Sequence, residues 1–282
     1  MLLLQRLRPK TDKIAIMKLR TGLVSISFRP LSPQQIVELC QQTRLESIEW
    51  GSDVHVLPGD LKTARQVGQL TREAGLEVAC YGSYYRCDGS DFTPVVETAL
   101  ELGAPLIRVW AGKMGSSEFS TDEWFNTLAS LYEAAELAEE AGIIVATEYH
   151  GGTLTDKRDS TTEMLESVGH PNLRTFWQPL RRGPGYEARV EENLEDLRAV
   201  APYLSNIHAY EWREGAAGRE AFSLQESQQW PLYMQELRSI GGDHTVLLEF
   251  VPGDAPEALP AEAAALQALI QAVSIPSEPA TF

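Results

Sequence analysis

Eight times along this chain a short β-branched or apolar run is followed by a longer stretch with apolar residues at helical spacing, and this alternation constrains the fold most. The strand candidates are Thr21 to Phe28, Ser47 to Gly51, Glu77 to Gly82, Leu106 to Ala111, Ile143 to Tyr149, Arg174 to Trp177, Ser205 to Tyr210 and Thr245 to Phe250. Helix start signals fall between them. Ser32-Pro33 precedes QQIVELCQQ, Asp60 precedes LKTARQVGQLTREAG, and Ser120 has Glu123 three residues on, the spacing of a capping box. Eight strands each followed by a helix predict the α/β class and a single (β/α)8 TIM barrel. No GxGxxG follows a strand and no GxxxxGK[ST] occurs, which argues against a doubly wound nucleotide-binding sheet. The barrel is expected over residues 18–282. Residues 1–17 read as an N-terminal extension, or as sequence ahead of a true start at Met17.

Charge narrows the partners. Lys and Arg total 24 against 40 Asp and Glu, a net −16, so a nucleic acid or an anionic membrane surface would be repelled rather than bound. No apolar run is long enough to span a bilayer. Cys40, Cys80 and Cys87 are too few and too scattered for a disulfide framework, which suggests a reducing cytoplasm. A small molecule is the expected partner, and a homo-oligomer is compatible with the sequence.

In a barrel of this kind, chemistry sits where strands end. Strand five ends in TEYH with Glu148 and His150, strand six in WQ with Gln178, strand seven in NIHAY with His208, and strand eight in LLEF with Glu249. A single strand-end Glu is usually a capping or ion-paired residue, and a single His is usually satisfied in a core. Four such residues on successive strands instead suggest a hard divalent-cation site with open positions for substrate oxygens. Earlier strands end in Glu49, Trp50, Asp53 and His55, in Ser83, Tyr84 and Arg86, and in Trp110. Aromatic faces and short polar groups suit a sugar, although Trp50 and Trp110 could equally be packing residues and His55 a loop-bonded one. Arg213, after strand seven, and the Arg181-Arg182 pair, after strand six, are candidates to hold a substrate oxygen or phosphate; surface arginines are the competing reading.

At these residues the chain resembles the sugar phosphate isomerase/epimerase superfamily, the xylose isomerase-like TIM barrels. The similarity covers about residues 18–272 through IEWGSDVH, GSYYR, IRVWAG, TEYHGG, NIHAYEW and LLEF. The resemblance implies a metal site at Glu148, Gln178, His208 and Glu249 that takes Mn, Mg, Co or Zn. Glu148 and Glu249 would act as acid and base, transferring a proton next to a metal-polarised carbonyl. Gln178 stands where the family has Asp, lowering the donor-set charge from −3 to −2, and Arg181 stands near the point where epimerases carry His. The resemblance implies an isomerase or epimerase of a sugar or sugar phosphate. The alternatives are an inosose- or dehydroshikimate-type dehydratase and a catalytically degenerate carbohydrate-binding barrel. An apurinic-site endonuclease fits poorly, because the chain has only five His and His170 and His244 fall away from the strand ends.

Overall fold

The computed structural model describes residues 18–180, 189–215 and 218–274; Arg181, Arg182 and the proposed extension 1–17 lie outside the described residues. The chain runs β1 (Lys18–Val24), α1 (Pro33–Thr43), β2 (Ser47–Gly51), α2 (Leu61–Glu73), β3 (Glu77–Gly82), α3 (Thr93–Leu102), β4 (Leu106–Val109) and α4 (Thr121–Glu140). It continues through β5 (Ile144–Thr147), α5 (Arg158–Val168), β6 (Leu173–Trp177), α6 (Val190–Val200), β7 (Leu204–Ala209), β8 (Glu211–Gly215), β9 (Gly218–Phe222), α7 (Trp230–Ile240), β10 (Asp243–Leu248) and α8 (Leu259–Ser274). Eight parallel strands close in the order β1-β10-β7-β6-β5-β4-β3-β2. The ring is sealed where Lys18 to Leu23 pair with Asp243 to Leu248.

The helices start where the side chains predict. Ser32 and Gln35 form a reciprocal capping box on α1, Ser120 and Glu123 form another on α4, and Asp60 accepts the Thr63 amide at the head of α2.

Two expectations shift. The first strand ends at Val24, and Ser25–Phe28 coil into a 3₁₀ turn, so this segment leaves the sheet before its apolar run is exhausted. The Gly-rich connection after strand seven is not a loop alone. Glu211–Gly215 and Gly218–Phe222 pair as an antiparallel hairpin with Arg213 opposite Glu220.

The two faces of the barrel strands divide the core. Outward residues pack against the helices, while Val24, Cys80, Leu106, Ala146, Phe176 and Leu247 belong to a separate apolar plug inside the ring. Two residues further on, above this plug, lie Gly82, Arg108, Glu148, Gln178 and Glu249, with Ile26 of the 3₁₀ turn beside them. The interior is therefore layered, with an apolar floor under a charged layer at the C-terminal ends. The three cysteines are all buried and unbridged. Among the described residues, no helix is long and apolar enough to cross a membrane.

Helix packing depends on small residues at close approaches. A Cβ on Gly68 of α2 would lie 2.2 Å from the Leu102 carbonyl oxygen at the end of α3. Backbone, not a flexible side chain, is what it would meet. Gly68→Ala is expected to destabilise the protein by about 1–3 kcal/mol despite the better helix propensity of Ala. Urea unfolding that shows the variant equally or more stable would contradict this packing.

Candidate active site

The charged layer opens into a cavity of about 370 Å³ at the barrel mouth, lined by Arg108, Glu148, Gln178 and Glu249 below and by Tyr84, Trp110, His150, Tyr210, Trp212 and Phe250 around the walls. Glu148 follows β5, Gln178 follows β6, His208 is on β7 and Glu249 follows β10, so four neighbouring strands converge on one point. All four residues are buried.

Their polar atoms face one another. His208 Nδ1 lies 3.2 Å from Gln178 Oε1, 3.5 Å from a Glu249 oxygen and 3.7 Å from Glu148 Oε1. Gln178 Nε2 sits 3.5 Å from Glu148 Oε1. Bonds of about 2.1 Å to a divalent ion place neighbouring donors about 3.0–3.4 Å apart, so these separations need only a slight contraction. Ligand atoms of Glu148, His208 and Glu249 all lie within 4.8 Å of one another. Three oxygen donors and one imidazole nitrogen fit Mn, Mg, Co or Zn by donor type.

Behind this set stand two residues that hold its members in place, Glu49 beneath the cavity and Arg108 at its floor. Glu49 of β2 is fully buried; one oxygen accepts from Arg108 Nε at 2.8 Å and the other lies 3.0 Å from His208 Nε2. Arg108 of β4, 2% exposed, donates its other arm to Glu148 Oε2. Burial alone would raise the Glu49 carboxyl, but Arg108 and His208 outweigh it and hold the group near 2. Burial pushes the Glu249 carboxyl up to about 7, against the pull of His208 and Arg108. For His208 burial works downward, yet the charges of Glu249, Glu49 and Glu148 prevail and the ring is raised.

The residues expected from the sequence divide. Glu148, Gln178, His208, Glu249, Tyr84, Trp110 and His150 line or floor one cavity. Trp110 stacks on His150 with ring centroids 4.4 Å apart, and the Arg86 guanidinium lies 3.6 Å from the Trp110 centroid. Glu49 faces the interior, but beneath the cavity, where it holds protein groups. Trp50 does not reach the mouth: adjacent strand residues point to opposite faces, so Glu49 inward puts Trp50 outward, where its Nε1 donates to Thr71 of α2 at 3.2 Å. His55 is a packed residue, with Nδ1 3.0 Å from Ser25 Oγ and Nε2 3.2 Å from the Leu31 carbonyl. Arg213 lies on the hairpin with its guanidinium 3.2 Å from the Phe222 ring centroid, and it does not line the cavity.

Two arginines were missed. Arg108 hides inside the apolar string LIRVW, where the available signal was a charge at an inward position, two residues past the floor residue Leu106. Arg29 lines the cavity, pairs with Asp53 and donates to Tyr84 Oη at 3.0 Å. It follows the 3₁₀ turn, whose position was read as strand. Immediately after Glu249, Phe250 takes a left-handed backbone (φ 58°), which turns the chain so that the ring joins the cavity wall. A second group, Glu136, Glu139 and His170, lies on the outer surface. There His170 Nδ1 accepts the Asn172 amide, so Nε2 carries the hydrogen toward Glu136 and the group is a hydrogen-bonded pair.

The raised groups fix a sign for pH dependence. Glu249 and His208 hold protons more tightly folded than unfolded, so without metal they contribute stability that is complete at low pH and lost as pH rises through about 7 for Glu249. Glu49 acts in the opposite sense, but its window lies between its unfolded value and about 2. The melting temperature in EDTA is therefore expected to fall as pH rises from about 5 to about 8, and saturating Mn²⁺ should remove the fall by replacing the lost positive charge. A flat profile in EDTA would contradict the burial of these charges.

Comparison with known proteins agrees with this architecture. Residues 37–269 match the family model of the xylose isomerase-like TIM barrel. Over 202 residues the chain is 29% identical to the 3-dehydroshikimate dehydratase of Bacillus anthracis, covering 67% of this chain and 71% of that one. The crystal structure of a probable 3-DHS dehydratase of Bacillus anthracis superposes with a TM-score of 0.73 at 24% identity, over 88% of this chain and 98% of the other. A zinc-bound IolI protein superposes with a TM-score of 0.71 at 16% identity, over 90% and 99%. The chain thus belongs to the xylose isomerase-like TIM barrel family.

Proposed function

We propose that this protein is a divalent-cation-assisted dehydratase of a small cyclic hydroxy-ketone, the class to which 3-dehydroshikimate belongs. The observation that carries this reading is that, among the described residues, the cavity offers one uncommitted base. His150 Nδ1 lies 2.5 Å from the Gly151 carbonyl, so Nδ1 carries the hydrogen and Nε2 keeps its lone pair. The carboxylates are committed: Glu148 is gripped by Arg108, and Glu249 faces the His208 ring. Epimerisation needs a proton acceptor on one face of the reacting carbon and a donor on the other, whereas elimination of water can run through a single base.

In this scheme His150 Nε2 takes the proton from the carbon beside the substrate carbonyl. The bond to the neighbouring hydroxyl oxygen breaks, a C=C bond forms, and His150 returns the proton to the departing oxygen as water leaves. The residue ends as it began, and no oxidant or reductant is needed. Glu148, Gln178, His208 and Glu249 would hold the ion, which supplies Lewis-acid polarisation of the carbonyl when bound. Trp110, stacked on His150, and the Tyr210, Trp212 and Phe250 rings give a flat apolar enclosure suited to a ring-shaped substrate. Support from outside the chain comes from the 29% identity to a 3-dehydroshikimate dehydratase. That a protein of this fold has been crystallised with a zinc atom is in keeping with a divalent ion here, with the ion left open.

A second reading has its own observation. Glu148 and Glu249 line the same cavity, the arrangement an isomerase or epimerase of a sugar or sugar phosphate would use.

The test is mass spectrometry of products after Mn²⁺-loaded protein meets 3-dehydroshikimate, inososes, ketoses and ketose phosphates. A product lighter by one water is expected from a cyclic hydroxy-ketone. Conversion of a ketose to a species of equal mass, with no dehydration of any substrate, would replace this reading by the second. His150→Phe keeps a ring against Trp110 and should lower kcat about 100-fold or more with Mn²⁺ affinity unchanged. Turnover near wild type in that variant would move the base to the carboxylates.

A further inference from the structure

We propose that Glu49 and Arg108 form a positioning pair that aims His208 and Glu148 at the cation and sets the buried charge to match a divalent ion. The inference rests on the cation site proposed above, and not on dehydration as the reaction. The chain of contacts runs His208 Nε2 to Glu49 at 3.0 Å, Glu49 to Arg108 Nε at 2.8 Å, and Arg108 Nη1 to Glu148 Oε2. A carboxylate can only accept, so Glu49 requires the hydrogen of His208 on Nε2. The lone pair is then left on Nδ1, the atom that faces Gln178, Glu148 and Glu249. At the other end, Arg108 occupies one oxygen of Glu148 and leaves Oε1 for the cation side, which makes Glu148 a one-oxygen donor.

Charge follows from the same groups. Glu49, Glu148 and Glu249 carry −3 when ionised, Arg108 carries +1, and with His208 neutral the sum is −3 + 1 = −2. One divalent ion cancels it. Uncancelled buried charge is costly, so this match favours a 2+ ion over a monovalent one.

Space is made for the pair. Gly82 of β3 lies beside it, and a Cβ there would sit 2.6 Å from Glu49 Oε1 and 2.8 Å from Arg108 Nη2. The position in the charged layer that could have carried another side chain is left empty, and the ion pair fills it.

Glu49→Gln tests the role. Its amide nitrogen, turned to His208 Nε2, would draw the hydrogen to Nδ1 and block the cation's donor atom; it also changes the buried sum to −1. In full-length protein the Mn²⁺ dissociation constant, measured by titration calorimetry, should rise about 10- to 100-fold. The melting temperature in EDTA is expected to fall, because Arg108 and His208 lose their buried anionic partner, and any turnover should return toward wild type as Mn²⁺ is raised to saturation. Wild-type Mn²⁺ affinity in Glu49→Gln would overturn the positioning role. Should the variant not fold, the wild-type protein decides: long-range ¹⁵N–¹H spectra of the Zn²⁺ form should show His208 with its hydrogen on Nε2 and the metal on Nδ1, and the reverse would overturn it. Wild-type protein that takes up neither Mn²⁺ nor Zn²⁺ would sink the cation site itself, a result distinct from failure of the pair.

Discussion

A guanidinium closed inside the barrel is the interaction on which the upper half of this structure depends. Arg108 is 2% exposed and is bonded to two carboxylates, Glu49 and Glu148, that are as deeply buried. Stripping water from any one of these groups would cost several kcal/mol, and removing a single partner would leave an uncompensated charge in the interior. The network is tolerable because each end continues into another partner. Glu49 also meets His208, and Glu148 also meets the Gln178 amide and accepts Thr155 Oγ1 at its carbonyl. The apolar plug of Val24, Leu106, Phe176 and Leu247 seals this layer from below, and the Phe176 ring stands edge-on to His208 at 5.0 Å. The charged layer opens to the cavity at the mouth, where a substrate would also enter.

Much of this was legible in the sequence, and the reason is periodicity. Strands were marked by apolar runs, helices by caps at Ser32, Asp60 and Ser120, and the eightfold repeat left one closed architecture. Glu148, Gln178, His208 and Glu249 stood out because each is the first strongly polar group at the end of an apolar strand. The same reasoning failed where it ignored the two-residue alternation. Naming both Glu49 and Trp50 as mouth residues cannot hold for neighbours on one strand, and Trp50 went to α2. Arg108 was passed over for the opposite reason: a charge within an apolar run looked like an exception rather than an inward position in the charged layer. His55 and Arg213 depended on loop and hairpin paths, which strand periodicity does not encode.

Gln178 takes on a different sense beside Arg108. Read alone, an amide in place of a carboxylate weakens a cation site. With Arg108 counted, an acidic residue there would bring the buried sum to −3 with His208 neutral, one charge more than a divalent ion cancels. Gln178 keeps an oxygen 3.2 Å from His208 Nδ1 while keeping that sum at −2. On the proposed reading, the amide and the guanidinium are two halves of one adjustment, and neither by itself marks a disabled site.

The same accounting bears on which side chains are free to move protons. On the proposed reading, Glu148 is both ion-paired to Arg108 and a cation donor, which favours a base from outside the charged layer. His150 is the first group above that layer with a lone pair held open, its other nitrogen being tied to the Gly151 carbonyl. Its ring stacks on Trp110 with centroids 4.4 Å apart and planes inclined by 30°, so the orientation is set by stacking rather than by another charge. On the proposed reading, binding below and proton transfer above are carried by different residues. This separation permits Glu49 and Arg108 to be adjusted for the ion without disturbing the base, and it ties the choice between elimination and epimerisation to whether a second proton donor enters the same cavity.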